Sequence, residues 1–324
     1  MNLAEPVDDH AHYRAVCSLI EADLAALPTG LAEVLQAQFS QLKQGRFSQI
    51  AALLPWWLRE QFALARPMYV QLGAAQLYGW WYYWVQDNLL DGDAEPALLL
   101  GAHLALLRQL ELYTELGLAQ SPIWPLFRQL TLASALGHQQ ELRYRLSELA
   151  SLGVDQLANF EQTVLLARAQ PFFFNSRAQA WLAGHDPFGP TANLVIETLE
   201  CLTLARQFSD DASDWIAELK QDKLNSVACR FLVYLHQQAV FGDFSQLTAA
   251  HVAGQQILHE RFWRELEHAN QALIVQTLAK LRAANIEGLA QLLEQQAQAN
   301  VALWANHATY RQQLRGFFGL AASE

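Results

Sequence analysis

Positive charge is scarce in this chain. Its 324 residues carry 21 Lys and Arg against 32 Asp and Glu, a net charge of −11. The lysines are Lys43, Lys220, Lys223 and Lys280 alone. Binding to nucleic acid depends on many phosphate-neutralising bases, so this balance argues against a nucleic-acid partner and against anionic membrane surfaces. Cysteine is scarce too. Cys17, Cys201 and Cys229 show neither CxxC spacing nor a paired framework, which predicts buried free thiols in a reducing cytoplasm. Long apolar runs are missing. The stretch from Ala97 to Leu107 is broken by Gly101 and His103, and no run reaches the ~20 residues of a membrane span, so no stable membrane insertion is expected. The acidic, polar start does not read as a signal peptide, and none is expected from it. No GxSxG, P-loop or dinucleotide fingerprint is present. The histidines lack zinc spacing, and His10-Ala11-His12 after Asp8-Asp9 reads as the solvated start of a helix.

Strand signals are nearly absent as well. Ala, Leu, Gln and Glu dominate over Val and Ile, which predicts an all-α protein. Gly and Pro fall mostly between long periodic segments and mark some ten helices. The longest are expected over Arg66–Asp91, Pro122–Leu152, Thr191–Gln221, Gln246–Ala284 and Glu287–Phe318. With no repeat and no linker, residues 1–324 read as a single helical domain, with 1–60 as its outer layer. The hydrophobic fraction, 52%, is ample for a core or an internal apolar cavity.

What is present in quantity is acid, in two clusters. The first is Asp87-Asn88-Leu89-Leu90-Asp91; the second is Asp210-Asp211-Ala212-Ser213-Asp214, continued to Glu218. Residues four apart share a helix face, so Asp87 and Asp91 point one way, and Asp210, Asp214 and Glu218 form a ladder. Stacked carboxylates repel and cost desolvation energy, and both clusters lie near helix C-termini, where the macrodipole is already negative. Hard divalent cations carrying a phosphate ligand would offset that cost.

Gln207-x-x-Asp210-Asp211-x-x-Asp214 resembles the second aspartate-rich motif of polyprenyl diphosphate synthases. Glu218-Leu219-Lys220-Gln221-Asp222-Lys223-Leu224-Asn225-Ser226 resembles the segment that follows it, with its diphosphate-binding lysine. Asp87-Asn88-Leu89-Leu90-Asp91 is similar to the first DDxxD motif with Asn as its second residue, and Arg66-Pro67 stands where the family has an early Arg-Pro. The likeness covers residues 60 to 230. It implies the class I isoprenoid synthase fold, a helical bundle around a deep apolar cavity. Three Mg²⁺ ions would hold a substrate diphosphate at its mouth, on Asp87, Asp91, Asp210, Asp214 and Glu218, and the same aspartates would be catalytic. Gln207, Lys223 and Arg168 would bind the diphosphate, with Arg177 the second candidate for the role of Arg168.

The departures narrow the function that the resemblance implies. Chain elongation needs a second basic pocket. Its lysine before the Arg-Pro is Ala63 here, and its Arg-Arg pair after the first motif is replaced by Gly92-Asp93-Ala94-Glu95-Pro96. The i, i+4, i+8 spacing of Asp210, Asp214 and Glu218 is similar to the metal-binding triad of terpene cyclases. Tyr310-Arg311 is similar to their Arg-Tyr pair in reversed order. The expected activity is therefore that of a Mg²⁺-dependent terpene synthase, a lyase that ionises an allylic prenyl diphosphate to give a hydrocarbon or alcohol plus diphosphate. A C20 substrate is favoured over C15. It could be linear, or a bicyclic diphosphate made by a class II cyclase, since no DxDD motif is present. Prenyl elongation, head-to-head condensation and a non-catalytic prenyl synthase subunit are the alternatives, and a homodimer is a candidate assembly.

Trp80, Tyr83 and Trp84 precede Asp87 by seven, four and three residues, which puts them on its helix face. There they would line the cavity, limit chain depth and stabilise a passing cation through their π faces. Phe173, within Phe172-Phe173-Phe174, is a candidate for a second wall.

Overall fold

The computed structural model describes residues 8–92, 95–241 and 247–320. The side chains of Arg46 and Asp91 also lie outside the description, as does Asp93 of the expected turn. The chain is all-α. The helices are α1 (Asp9–Ala25), α2 (Thr29–Leu42), α3 (Arg46–Trp57), α4 (Arg66–Asp91), α5 (Leu99–Glu115), α6 (Trp124–Glu141), α7 (Leu149–Ala158), α8 (Leu166–Leu182), α9 (Pro190–Lys220), α10 (Ser226–Gln237), α11 (Ala249–Gln255), α12 (Glu260–Ala283) and α13 (Glu287–Phe317). A π-helical turn, Glu161–Leu165, leads into α8. Among the described residues the only extended pairing is a single bridge between Arg145 and Lys223.

Two expected long helices are broken. The one expected over Pro122–Leu152 stops at Glu141, and α7 restarts it with Gly153 in a non-helical conformation (φ 72°, ψ 161°). The one expected over Gln246–Ala284 is interrupted between α11 and α12, where Trp263 Nε1 donates to the Gln256 carbonyl (3.0 Å). Neither break carries a proline, so periodicity alone ran through them.

The residues group into two compact units. The first comprises residues 1–130 and 171–196, the second 131–170 and 197–324. The chain passes from one to the other within α6, α8 and α9.

In the first unit α4 is the central element. Pro67 fits its first turn, where a missing N–H is harmless, and Gly92 closes it in the left-handed region (φ 81°). Its inward face presents Leu72, Ala75, Tyr78, Trp81 and Val85, all buried, with Trp81 stacked on Phe39 (5.7 Å) and Tyr78 (6.3 Å). At Gly73 the α3 backbone comes so close that a Cβ would lie 2.5 Å from the Ala52 carbonyl oxygen. From the first sixty residues, Val16, Ile20, Leu35, Phe39, Ala51 and Ala52 belong to this core. Tyr113, Trp124, Phe127 and Phe174 add an aromatic cluster with neighbouring centroids 5.1–6.4 Å apart.

His12 lies in this interior, not in solvent. It is 0% exposed, stacked on Trp56 at 4.8 Å, and neither ring nitrogen has a hydrogen-bond partner. Burial, followed by the charge of Arg66, lowers its pKa to about 4; Asp9 opposes that shift and Arg59 adds to it. The acidic start is nonetheless a working cap, since Asp8 accepts from the Ala11 N–H (2.6 Å).

The second unit is built round Trp215 of α9, Phe231 of α10, Phe262 and Trp263 of α12 and Trp304 of α13, all buried. Phe231 lies 4.9 Å from Phe262 and Trp215 lies 5.5 Å from Trp263. The three cysteines are buried and free, as expected. Among the described residues no helix is long and apolar enough to cross a membrane.

Candidate functional site

Asp210, Asp214 and Glu218 lie along one side of α9, in the second unit. No proline or glycine interrupts α9 after its first residue, so the ladder keeps helical register. Asp210 is 55% exposed and pairs with Arg206 one turn earlier at 3.5 Å, yet partial burial still raises its carboxyl. Asp214 is raised as well, first by burial and then by the charge of Asp210. Arg206 pulls the Asp210 carboxyl down without cancelling the effect of burial. The three side chains, two of them solvent-exposed, offer hard oxygen donors, the donor type that Mg²⁺ and Mn²⁺ take.

Asp211, one residue round the helix, points inward and is 3% exposed. It accepts from the Ser226 N–H (2.8 Å), from the Ser226 hydroxyl, and from Gln207 Nε2 (2.7 Å). Burial pushes its pKa up to about 7, against the pull of those donors. Ser226 opens α10, so Asp211 is a carboxylate at a helix N-terminus, a favourable place for it. Gln207, expected on the diphosphate, is engaged by Asp211.

Asn225 completes the arrangement. Its Oδ1 caps α10 by accepting from the Ala228 N–H (3.0 Å), which fixes which end of the amide is nitrogen. The nitrogen donates to Glu218 Oε2 (2.6 Å) and to the Asp211 carbonyl (3.2 Å), and lies 3.5 Å from Asp214 Oδ1.

Beyond α9, Asp222 takes a left-handed conformation (φ 66°). Its carboxylate accepts from the Ser147 N–H (2.7 Å) and hydroxyl (2.6 Å), and its carbonyl from the Leu146 N–H (3.2 Å). Leu224 N–H donates to the Tyr144 carbonyl (2.9 Å), and Lys223 N–H to the Glu218 carbonyl (2.9 Å). Half-buried Lys223 is thus held at both sides by backbone bonds at the end of the ladder.

Arg168, on α8 in the same unit, forms an ion pair with Glu141. Its carbonyl accepts from the Ser134 hydroxyl (3.0 Å). Close approach is possible because residue 137 is glycine; a Cβ there would lie 3.0 Å from the Arg168 backbone nitrogen. The half-buried guanidinium is held by protein before any ligand reaches it.

The first cluster lies in the first unit. Asp87 and Asn88 are half-buried on α4, and Asn88 Nδ2 donates back to the Trp84 carbonyl (2.6 Å). Asp91 is the last residue of α4. Trp80, Tyr83 and Trp84 share the half-buried side of α4 with Asp87, apart from the fully buried Tyr78, Trp81 and Val85. Trp80 packs on Phe47 (4.2 Å), and Phe47 on Phe172 (5.1 Å). Phe173 is 2% exposed.

Two other sequence candidates make contacts of their own within the protein. Arg311 is 5% exposed on its side chain, makes a two-pronged ion pair with Glu260 (3.1 and 3.2 Å) and lies over the Trp263 ring, while Tyr310 is half exposed. Arg177, in the first unit, donates to the Pro187 carbonyl and to Asn193 Oδ1 (3.1 Å) and lies over Phe188. Sequence reasoning gave no role to Asn225, Ser226, Glu141 or the Ser147–Asp222 tie. Only the capping potential of Asn225-Ser226 before an apolar run was there to be seen.

No family model matches the sequence, and no curated protein matches it.

Proposed function

We propose that the chain is a Mg²⁺-dependent class I terpene synthase with the class I isoprenoid synthase fold. Its substrate would be a single allylic prenyl diphosphate, C20 or C15, and its products diphosphate and a terpene hydrocarbon or alcohol. The observation that carries this reading is the Asp210–Asp214–Glu218 ladder, three carboxylates along one side of α9, in which burial raises Asp210 and Asp214 and the charge of Asp210 raises Asp214 further, a repulsion that a cation would relieve. Bound Mg²⁺ supplies Lewis-acid assistance to departure of the diphosphate.

The chain's own residues do the rest. Lys223, fixed by its backbone ties, contributes an ammonium to the diphosphate oxygens. Arg168 exchanges Glu141 for the diphosphate and so senses its arrival. The Trp80, Tyr83 and Trp84 rings exclude water, and each π face stabilises a carbocation by ~0.5–2 kcal/mol. No protein nucleophile is needed. The final proton leaves to diphosphate, a tyrosine or water.

The test is incubation of the whole chain with Mg²⁺ and geranylgeranyl, farnesyl or a bicyclic C20 diphosphate, each alone, with product analysis. Diphosphate release without isopentenyl diphosphate supports the synthase. Release only when that second substrate is added assigns the chain to elongation. One observation favours a further reading: Asn88 is neutral and its amide is spent on the Trp84 carbonyl. A non-catalytic prenyl synthase subunit would tolerate that, and it is the reading left if no prenyl diphosphate turns over, alone or mixed.

A further inference from the structure

The carboxylates of the ladder need something to hold them at a usable spacing before a cation arrives. Two carboxylates left to themselves on one helix face swing apart. Between Asp214 and Glu218 stands the amide nitrogen of Asn225, 2.6 Å from Glu218 Oε2 and 3.5 Å from Asp214 Oδ1. Asn225 is not free to turn. Its oxygen is taken by the Ala228 N–H at the start of α10, and its nitrogen is also shared with the Asp211 carbonyl. The α10 start is itself keyed to α9 by buried Asp211, which accepts from both the N–H and the hydroxyl of Ser226. The Asn225 side chain is 8% exposed with the rest of its residue, so water does not compete strongly for these bonds.

We infer that Asn225 is a positioning residue: it orients Glu218, and through it the spacing to Asp214, so that the ladder is set for a divalent cation. This rests on the metal-dependent reading above. Its neutral amide donates to the carboxylates without adding the competing charge that a lysine in the same place would bring. Outer partners of this kind fix ligand orientation, and their loss lowers metal affinity about 10–100-fold.

The test is Asn225→Ser in the full chain. Serine keeps a capping oxygen for α10 and removes the amide donor. Mn²⁺ is titrated into the protein and the free-ion electron paramagnetic resonance signal is followed. Mn²⁺ affinity is expected to fall at least about tenfold. The Mg²⁺ concentration for half-maximal diphosphate release should rise by a similar factor, and the thermal midpoint should stay near that of the parent. In a Glu218→Ala background the same substitution should cause no further loss, because the effect passes through Glu218. Asn225→Thr, another capping hydroxyl, is run beside it so that the comparison survives if one variant does not fold. Unchanged Mn²⁺ affinity, or an equal loss with and without Glu218, overturns the positioning role alone. A parent protein that binds no Mn²⁺ overturns the metal-dependent reading and takes this inference with it.

Discussion

Replacing His12 by phenylalanine should flatten part of the chain's acid sensitivity. The imidazole is fully buried, has no hydrogen-bond partner, and keeps a folded-state pKa of about 4 against 6.5 for an exposed histidine. Its folded pKa is depressed, so the unfolded chain binds the proton first. The stability is intact above pH 6.5 and is lost as pH falls from 6.5 towards 4. At pH 5 the loss from this one group is about 2 kcal/mol, at about 1.4 kcal/mol per pH unit across that window. Phenylalanine keeps the stack on Trp56 and cannot be protonated. Asp211 acts in the opposite sense. Its folded pKa is raised to about 7, so its contribution is full at low pH and is lost as pH rises towards 7. The two slopes partly cancel in the parent, and only the difference between parent and variant isolates His12. Urea unfolding of both proteins in EDTA at pH 8, 6 and 5 supplies it. The variant should match or exceed the parent at pH 8 and gain about 2 kcal/mol relative to it by pH 5. A difference that stayed constant across this range would show that His12 is hydrated or partnered in solution and would refute the burial argument.

Three other outcomes are expected. Asp87→Ala and Asp210→Ala should each lower diphosphate release about 100-fold or more, while circular dichroism stays helical, because each removes a ligand together with a repulsive charge; near-normal turnover in either would displace that residue from the site. Arg311→Ala should cost about 3–5 kcal/mol in chemical denaturation, since it leaves Glu260 without its two-pronged partner over Trp263, and should leave Mn²⁺ affinity as it is. Gly73→Ala should destabilise by about 1–3 kcal/mol or more, because the new methyl group meets the Ala52 carbonyl and α3 must retreat; a thermal midpoint equal to the parent's would disprove that approach.

The sequence disclosed those elements whose ends are marked locally. Arg66-Pro67 and Gly92 gave both limits of α4, and α9 and α13 begin and end within a residue of the expected places. It failed where an end is imposed from elsewhere in the chain. The break after Glu141 is bonded to Asp222 and Leu224, and nothing in its own composition announces that. His12 misled for a similar reason: its neighbours are acidic and polar, and the ring that buries it belongs to α3. The ladder on α9 was legible because i, i+4 spacing is local. The Asn225 contacts were not, because only the return of the chain after Lys220 brings the α10 cap against that face.

Neither compact unit is a continuous stretch of the gene. Each is assembled from two separated segments, and every seam between them runs through the body of a helix, in α6, α8 and α9, not through a loop. No truncation can therefore deliver one unit whole, and a recombination event that exchanged one of them would have to cut three helices in mid-course. Expression of either segment alone would leave it with exposed, unfinished helices.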